Sequence, residues 1–290
     1  MAQDDPPSAR ERQLARELRT LREAAGLTGK EAAERLGWSA SKISRIETGR
    51  IGVGQEDLEA LFELYEVIEE KAEDLRRLAA SARTTGWWDA YASSLSSGYT
   101  SLIKLEADSA ELRCYCALVP HALLQTPEYS RHVIQSTLLT PAPAEVERRV
   151  DIARRRQAVL RHGNPAMRLS AVIDEAAFRR SIRTSDGGTD NSVMRAQFQH
   201  LAELSTWPNV TIRVLQFSSG IPPVTSGSFS ILESTATGRP DVVYLENKTR
   251  IFFVDLEREV HQYVQEFELL SSMALDPEAS RDFIERAASR

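Results

Sequence analysis

The stretch Leu27–Gly49, LTGKEAAERLGWSASKISRIETG, decides how the first part of the chain folds. Thr28 and Glu31 stand three apart, the spacing of a capping box in which each side chain satisfies an orphan backbone donor at a helix start. The helix that follows turns Ala32, Ala33 and Leu36 inward and stops at Gly37. Ser39 can cap the next helix, which buries Ile43 and Ile46 before Gly49 closes it. Two helices meeting at a tight turn need a small residue at the close approach, a glycine at the turn and apolar residues three or four apart on the second helix. Ala33, Gly37, Ile43 and Ile46 meet those demands. An ordinary three-helix packing unit would share some of them, but the full pattern predicts a helix-turn-helix that binds DNA.

Working outward, Ser8 and Glu11 repeat the capping-box spacing, so a first helix is expected from Ala9 with the apolar stripe Leu14, Leu18, Leu21 and Ala25 and a stop at Gly26. A fourth helix from Gln55 carries Leu58, Leu61, Phe62 and Tyr65. A fifth carries Ile68, Ala72, Leu75, Leu78, Ala79 and Ala82. Residues 1–9 read as a disordered start and 10–83 as an all-helical domain of five helices. Residues 84–100, rich in serine and holding Trp87, Trp88 and Tyr91, read as a junction.

Beyond residue 100 the periodicity alternates between strands and helices. Strands are expected at Arg113–Val119, Met167–Ile173, Val210–Phe217, Ser228–Leu232, Val242–Leu245 and Ile251–Val254. Helices are expected at Pro127–Leu138, Ala144–Arg161, Asn191–Ser205, Glu257–Ala274 and Pro277–Ala288. Short links, such as the one between the last two strands, predict an α+β domain over 101–290 with a mostly antiparallel sheet rather than a doubly wound one.

The whole chain, 290 residues with 42 acidic groups against 36 Lys and Arg, carries a net charge of -6. That figure alone argues against a nucleic-acid partner. Its distribution argues the other way: Arg10 to Arg50 holds ten basic and six acidic residues, a net of +4, and Ile51 to Arg83 holds four basic and nine acidic, a net of -5. The positive half coincides with the helix-turn-helix. Two cysteines, Cys114 and Cys116, cannot build a disulfide framework, and the N-terminus lacks a signal-peptide pattern. With no long apolar run either, a cytoplasmic location with no membrane partner is expected.

Residues 10–68 resemble the five-helix DNA-binding domain of the phage repressor-like (XRE, or Cro/C1) family of transcriptional regulators. The resemblance implies that the helix after Ser39 enters the major groove of an operator. Carried over, the reading positions are Ser39, Ala40, Ser41, Ser44 and Arg45, with Lys42, Lys30 and Arg50 near the phosphates. Arg45 can fork onto guanine O6 and N7, and Ala40 can pack on a thymine methyl. Many members carry a glutamine where this chain has Gly29. The family also implies an ion pair between Arg22 and Glu47, read as structural.

The larger part of the chain lacks a catalytic signature. His121, His132, His162, His200 and His261 are scattered without paired metal-ligand spacing, and Cys114, Cys116 and His121 lack a fourth ligand. Asp174 and Glu175 are adjacent, so they point apart. Trp87, Trp88 and Tyr91 either anchor the domain junction or line a ligand pocket. The arginines at 148, 149, 154, 155, 156 and 161 form either an ion-paired solvated face or a dock for an acidic partner.

Residues 86–285, including CALVPHALLQTPEYSRHVI, DIARRRQAVL, PNVTIRVLQF and DVVYLEN, resemble the C-terminal domain of an actinobacterial group of antitoxin-like regulators. That group usually has glycine where this chain has His121. The resemblance implies a transcriptional regulator modulated by a small partner protein; with no nucleophile, metal or phosphate motif in the second domain, a non-enzymatic homodimer with no cofactor, bound to double-stranded operator DNA, is expected. The alternative is a C-terminal small-molecule receptor or enzyme that the first domain targets to DNA.

Overall fold

A computed structural model describes residues 9–82, 86–91, 95–138, 140, 142–162, 166–183, 188–224, 227–234, 240–247 and 251–289. The chain divides into two compact units, residues 1–105 and 106–290. Among the described residues no helix is long and apolar enough to cross a membrane.

The first unit begins with five helices, α1 (Ala9–Ala24), α2 (Gly29–Leu36), α3 (Ala40–Glu47), α4 (Gln55–Leu64) and α5 (Glu69–Ala82), followed by a 3-10 turn at Trp87–Tyr91. Local chemistry sets the ends of α2 and α3. The Thr28 hydroxyl accepts from the Glu31 amide at 3.2 Å while the Glu31 carboxylate accepts from the Thr28 amide at 2.8 Å. Gly37 takes the left-handed conformation (φ 67°) and donates its amide to the carbonyls of Ala33 and Glu34. Ser39 accepts from the Lys42 amide, and α3 starts at the next residue, Ala40. Leu14, Leu18, Ala32, Ala33, Ile43, Ile46, Leu58, Leu61, Phe62, Tyr65, Ala72 and Leu75 form one core.

Two expected core positions lie at the surface. Ala25 is exposed because the chain leaves α1 at Ala24 and turns at Gly26 (φ 70°), so Leu27 takes the inward place. Ile68 is 69% exposed: it precedes α5, accepts the Ala72 amide on its carbonyl and holds its side chain outside the helical stripe. The expected Ser8 cap lies outside the described residues.

Helix α6 (Ser97–Ala107) begins inside the serine-rich stretch and runs across the boundary between the units. The second unit then builds a six-stranded sheet from β1 (Ser109–Cys116), β2 (Arg168–Asp174), β5 (Val210–Leu215), β6 (Phe229–Ser234), β7 (Pro240–Glu246) and β8 (Ile251–Val254), in the order β5-β2-β1-β6-β7-β8. A separate two-stranded ribbon pairs β3 (Ile182–Arg183) with β4 (Thr189–Asp190).

The fold class is α+β, as the short links predict. Three adjacent pairs are antiparallel, β1 with β6, β6 with β7, and β7 with β8. The β1–β2 and β2–β5 pairs are parallel. Parallel neighbours need crossover connections. These are supplied by α7 (Pro127–Thr137) with α8 (Pro143–Arg156), and by α9 (Asn191–Leu204). Helices α10 (Glu257–Met273) and α11 (Pro277–Ala288) complete the unit.

Alternation along β1 divides its side chains between two buried environments. Tyr115 joins Val172, Phe229, Ile231 and Val243 under Val260, Phe267 and Leu270 of α10. Leu112, Cys114 and Cys116 point the other way and are also buried. β1 starts four residues before the expected Arg113 and ends at Cys116, where the chain bends toward Pro120. α8 likewise stops at Arg156, and a 3-10 turn, Gln157–Leu160, completes the expected helix.

Candidate nucleic-acid interface

Burial of Ile43 and Ile46 leaves the opposite face of α3 to solvent. Ser39, Ala40, Ser41, Ser44 and Arg45 are all exposed along it. Arg45 has no carboxylate partner among the described residues, so its five guanidinium donors are available. Arg50 is exposed two residues beyond the end of the helix cap. Lys30 stands in solvent at the start of α2, 3.9 Å from the Glu34 carboxylate.

Lys42 is held differently from the other cations. Its Nζ lies 2.7 Å from Asp57 Oδ1 and 3.7 Å from the centroid of the Trp38 ring, so an ion pair and a cation–π contact fix it at the base of α3. Asp57, fifteen residues from Lys42, left no local signal in the sequence. Gly29 is not a steric requirement, because a Cβ there would meet only Ile43 Cγ2 at 3.7 Å, an ordinary contact.

Behind this face, Arg22 Nε donates to Glu47 Oε1 at 2.6 Å and Nη2 to Oε2 at 2.9 Å, a two-pronged bridge between α1 and the end of α3. Nη1 donates to the Leu27 carbonyl at 2.6 Å. The Glu47 hydrogen bonds raise the guanidinium pKa above its ordinary value. Burial, with Glu47 adding to it, pushes the neighbouring Tyr65 hydroxyl up to about 12.

The remaining sequence candidates fall into structural roles. Trp88 is buried, and Trp87 meets it and Tyr91 edge-on at 6.0 Å. Neither of the two described cavities is lined by these aromatics. A Cβ on Gly86 would fall 2.4 Å from the Trp88 ring. Gly86→Ala is therefore expected to lower stability by about 1–3 kcal/mol through overpacking, measured by urea denaturation; an unchanged midpoint would mean that the indole is free to move.

On α8, Arg148 and Arg149 pair with Glu145, and Arg154 and Arg155 with Asp151, a solvated ion-paired face. Arg156 is buried instead, bridging Glu106 of α6 through Nε at 2.8 Å and Nη2 at 2.6 Å. Nothing in the sequence separates Arg156 from its neighbours except its place on the wheel beside Ile152 and Ala153.

Cys114 and Cys116 are free thiols with sulfurs 3.8 Å apart. The neighbouring thiol and burial both push the Cys114 pKa up. His121 Nδ1 accepts from the Leu123 amide, and burial followed by the Arg156 charge pushes its pKa down to about 3. Among the described residues no group of three or more His, Cys, Asp or Glu side chains could hold a metal ion. Asp174 accepts from the Ala176 amide and Tyr115 hydroxyl, while Glu175 accepts from Arg179 and the Phe217 amide.

A capped two-helix turn with a buried rear face and an exposed face of small polar residues and an unpaired arginine defines a helix-turn-helix DNA-binding regulator. Residues 13–77 match a helix-turn-helix domain, and residues 99–286 match a family described as a domain of unknown function, DUF5753. The second match covers well over half of the chain, which belongs to the DUF5753 family. No curated protein and no solved structure matches it.

Proposed function

We propose that the chain is a sequence-specific transcriptional regulator of the XRE type, with α3 reading operator bases in the major groove and the second unit receiving a signal. The unpaired, exposed guanidinium of Arg45 beside Ser41 and Ser44, on a helix locked from behind by Ile43 and Ile46, carries the reading. Arginine in that setting can bond guanine O6 and N7 together, whereas the serines and Ala40 discriminate by shape and single bonds. Lys30 and Arg50 supply backbone contacts, and Lys42 joins them only on leaving Asp57.

The regulator acts as a cytoplasmic, nucleoid-associated homodimer that presents two recognition helices about 34 Å apart to an inverted repeat. A small partner protein delivers the signal to the second unit. The reading includes no catalysis and no cofactor.

Selection of bound duplexes from a random pool tests the proposal. Arg45→Ala is expected to lower affinity for the selected operator by about 1–3 kcal/mol and relax preference at one base pair. An operator bound with unchanged affinity and unchanged preference would overturn the assignment of Arg45, and failure to enrich any sequence would overturn the regulator reading.

A further inference from the structure

The second unit contains a cavity of about 210 Å³ that no feature of the DNA-binding reading uses. Three segments far apart in sequence meet there: the 3-10 turn Glu175–Phe178 after β2, the first half of α9, and α11. Phe178 is the hub, its ring centroid 5.2 Å from Phe198 of α9 and 5.5 Å from Phe283 of α11. Met194 adds a polarizable wall beside them.

The rest of the lining carries a single sign of charge. Arg179, Arg180 and Arg195 are exposed residues bordering the cavity, and among the described residues no acidic one lines it. Glu175, buried beneath, engages Arg179 at 2.9 Å and spends its other oxygen on the Phe217 amide at 3.0 Å. Arg180 and Arg195 have no carboxylate partner among the described residues. Asn191, the first residue of α9, also borders the cavity, so the positive end of that helix adds to the field.

Aromatic walls under a polar rim that carries unpaired guanidiniums suit a ligand with a flat ring and an anionic end. The ring can add to the cluster of tilted and edge-on phenylalanines, and a carboxylate matches the planar donor fork of arginine. At about 210 Å³ the cavity falls short of the 300 Å³ or so at which drug-sized ligands begin. That admits one substituted aromatic ring.

We infer that this cavity binds a small aromatic carboxylate, its ring against Phe178, Phe198 and Phe283 and its carboxylate at Arg180 and Arg195. The inference goes beyond the DNA-binding reading and stands without it, because binding is measured in the absence of DNA.

The test is calorimetric titration of the full chain with phenylacetate, benzoate and indole-3-acetate, beside phenylacetamide, acetate and inorganic phosphate. At least one aromatic carboxylate is expected to bind, with the neutral amide and the ring-free anions weaker by about tenfold or more, since a charge-assisted hydrogen bond and the apolar contact are each removed. Arg180→Gln and Arg195→Gln, both at exposed positions, are each expected to weaken binding by about five- to tenfold at an unchanged melting temperature. Ala287→Phe fills the cavity from α11 and is expected to abolish binding. Equal binding of phenylacetate and its amide, arginine variants that bind as the parent does, or no binding by any of the three carboxylates would each overturn the inference.

Discussion

Arg156→Met is expected to destabilise the second unit by about 3–5 kcal/mol, because it strips the partner from a carboxylate with nowhere to go. Glu106 is 1% exposed and Arg156 4%, and two hydrogen bonds join them. The pair itself is not worth that much, since bringing both charges out of water offsets most of their attraction. The loss comes from leaving a bare carboxylate among Cys114 and its apolar neighbours. Arg156→Met combined with Glu106→Leu is accordingly expected to recover most of the stability, as apolar replacement of buried pairs often does. Differential scanning calorimetry of the full chain measures both. A loss below about 1 kcal/mol in the single variant would show that water reaches the site.

Arg22→Met is the second large effect, about 3 kcal/mol, at the lower end for a buried pair because both side chains keep about a tenth of their surface in solvent. The change cuts both prongs to Glu47 and the bond to the Leu27 carbonyl, so α1, α3 and the link into α2 lose their common tie. Two readouts distinguish this from a loss of positive charge alone. Melting of the first unit should fall, and operator affinity should fall even though Arg22 lies behind the exposed face. Arg22→Lys is expected to recover only part of either, since an ammonium cannot reproduce the planar fork. Wild-type melting in Arg22→Met would rule out the bridge as a structural tie.

The features legible in advance were those whose signals are local. Thr28 with Glu31, Gly37 and Ser39 state the ends of two helices within a dozen residues, and the inward places of Ile43 and Ile46 follow from the period. Locality also explains the errors. Ala25 and Ile68 continue an apolar stripe on paper, but each stands just beyond the helix that would have turned it inward. α6 was hidden because Ser97, Gly98 and Thr100 give its first turn the composition of a linker.

Long-range features left no trace of that kind. Lys42 meets Asp57 across fifteen residues, Arg156 meets Glu106 across fifty, and the phenylalanine cavity gathers positions 178, 198 and 283. Parallel pairing of β1, β2 and β5 depends in the same way on crossovers whose destination only packing decides. Burial on both faces of those strands, as in the run LSAVI of β2, was the faint clue.

The clamp on Lys42 bears on how the regulator would search a genome. A DNA-binding protein meets about 10⁶–10⁹ wrong sites for each right one and loses time at all of them. Every cation offered freely to phosphate lengthens those stops. With Nζ retained by Asp57 and Trp38, the recognition helix approaches random DNA carrying one mobile cation fewer than its sequence suggests. On the proposed reading, the ammonium reaches phosphate only by giving up Asp57, a pair about a third exposed and so worth no more than about 1 kcal/mol, which makes dwell time weakly dependent on how deeply α3 seats.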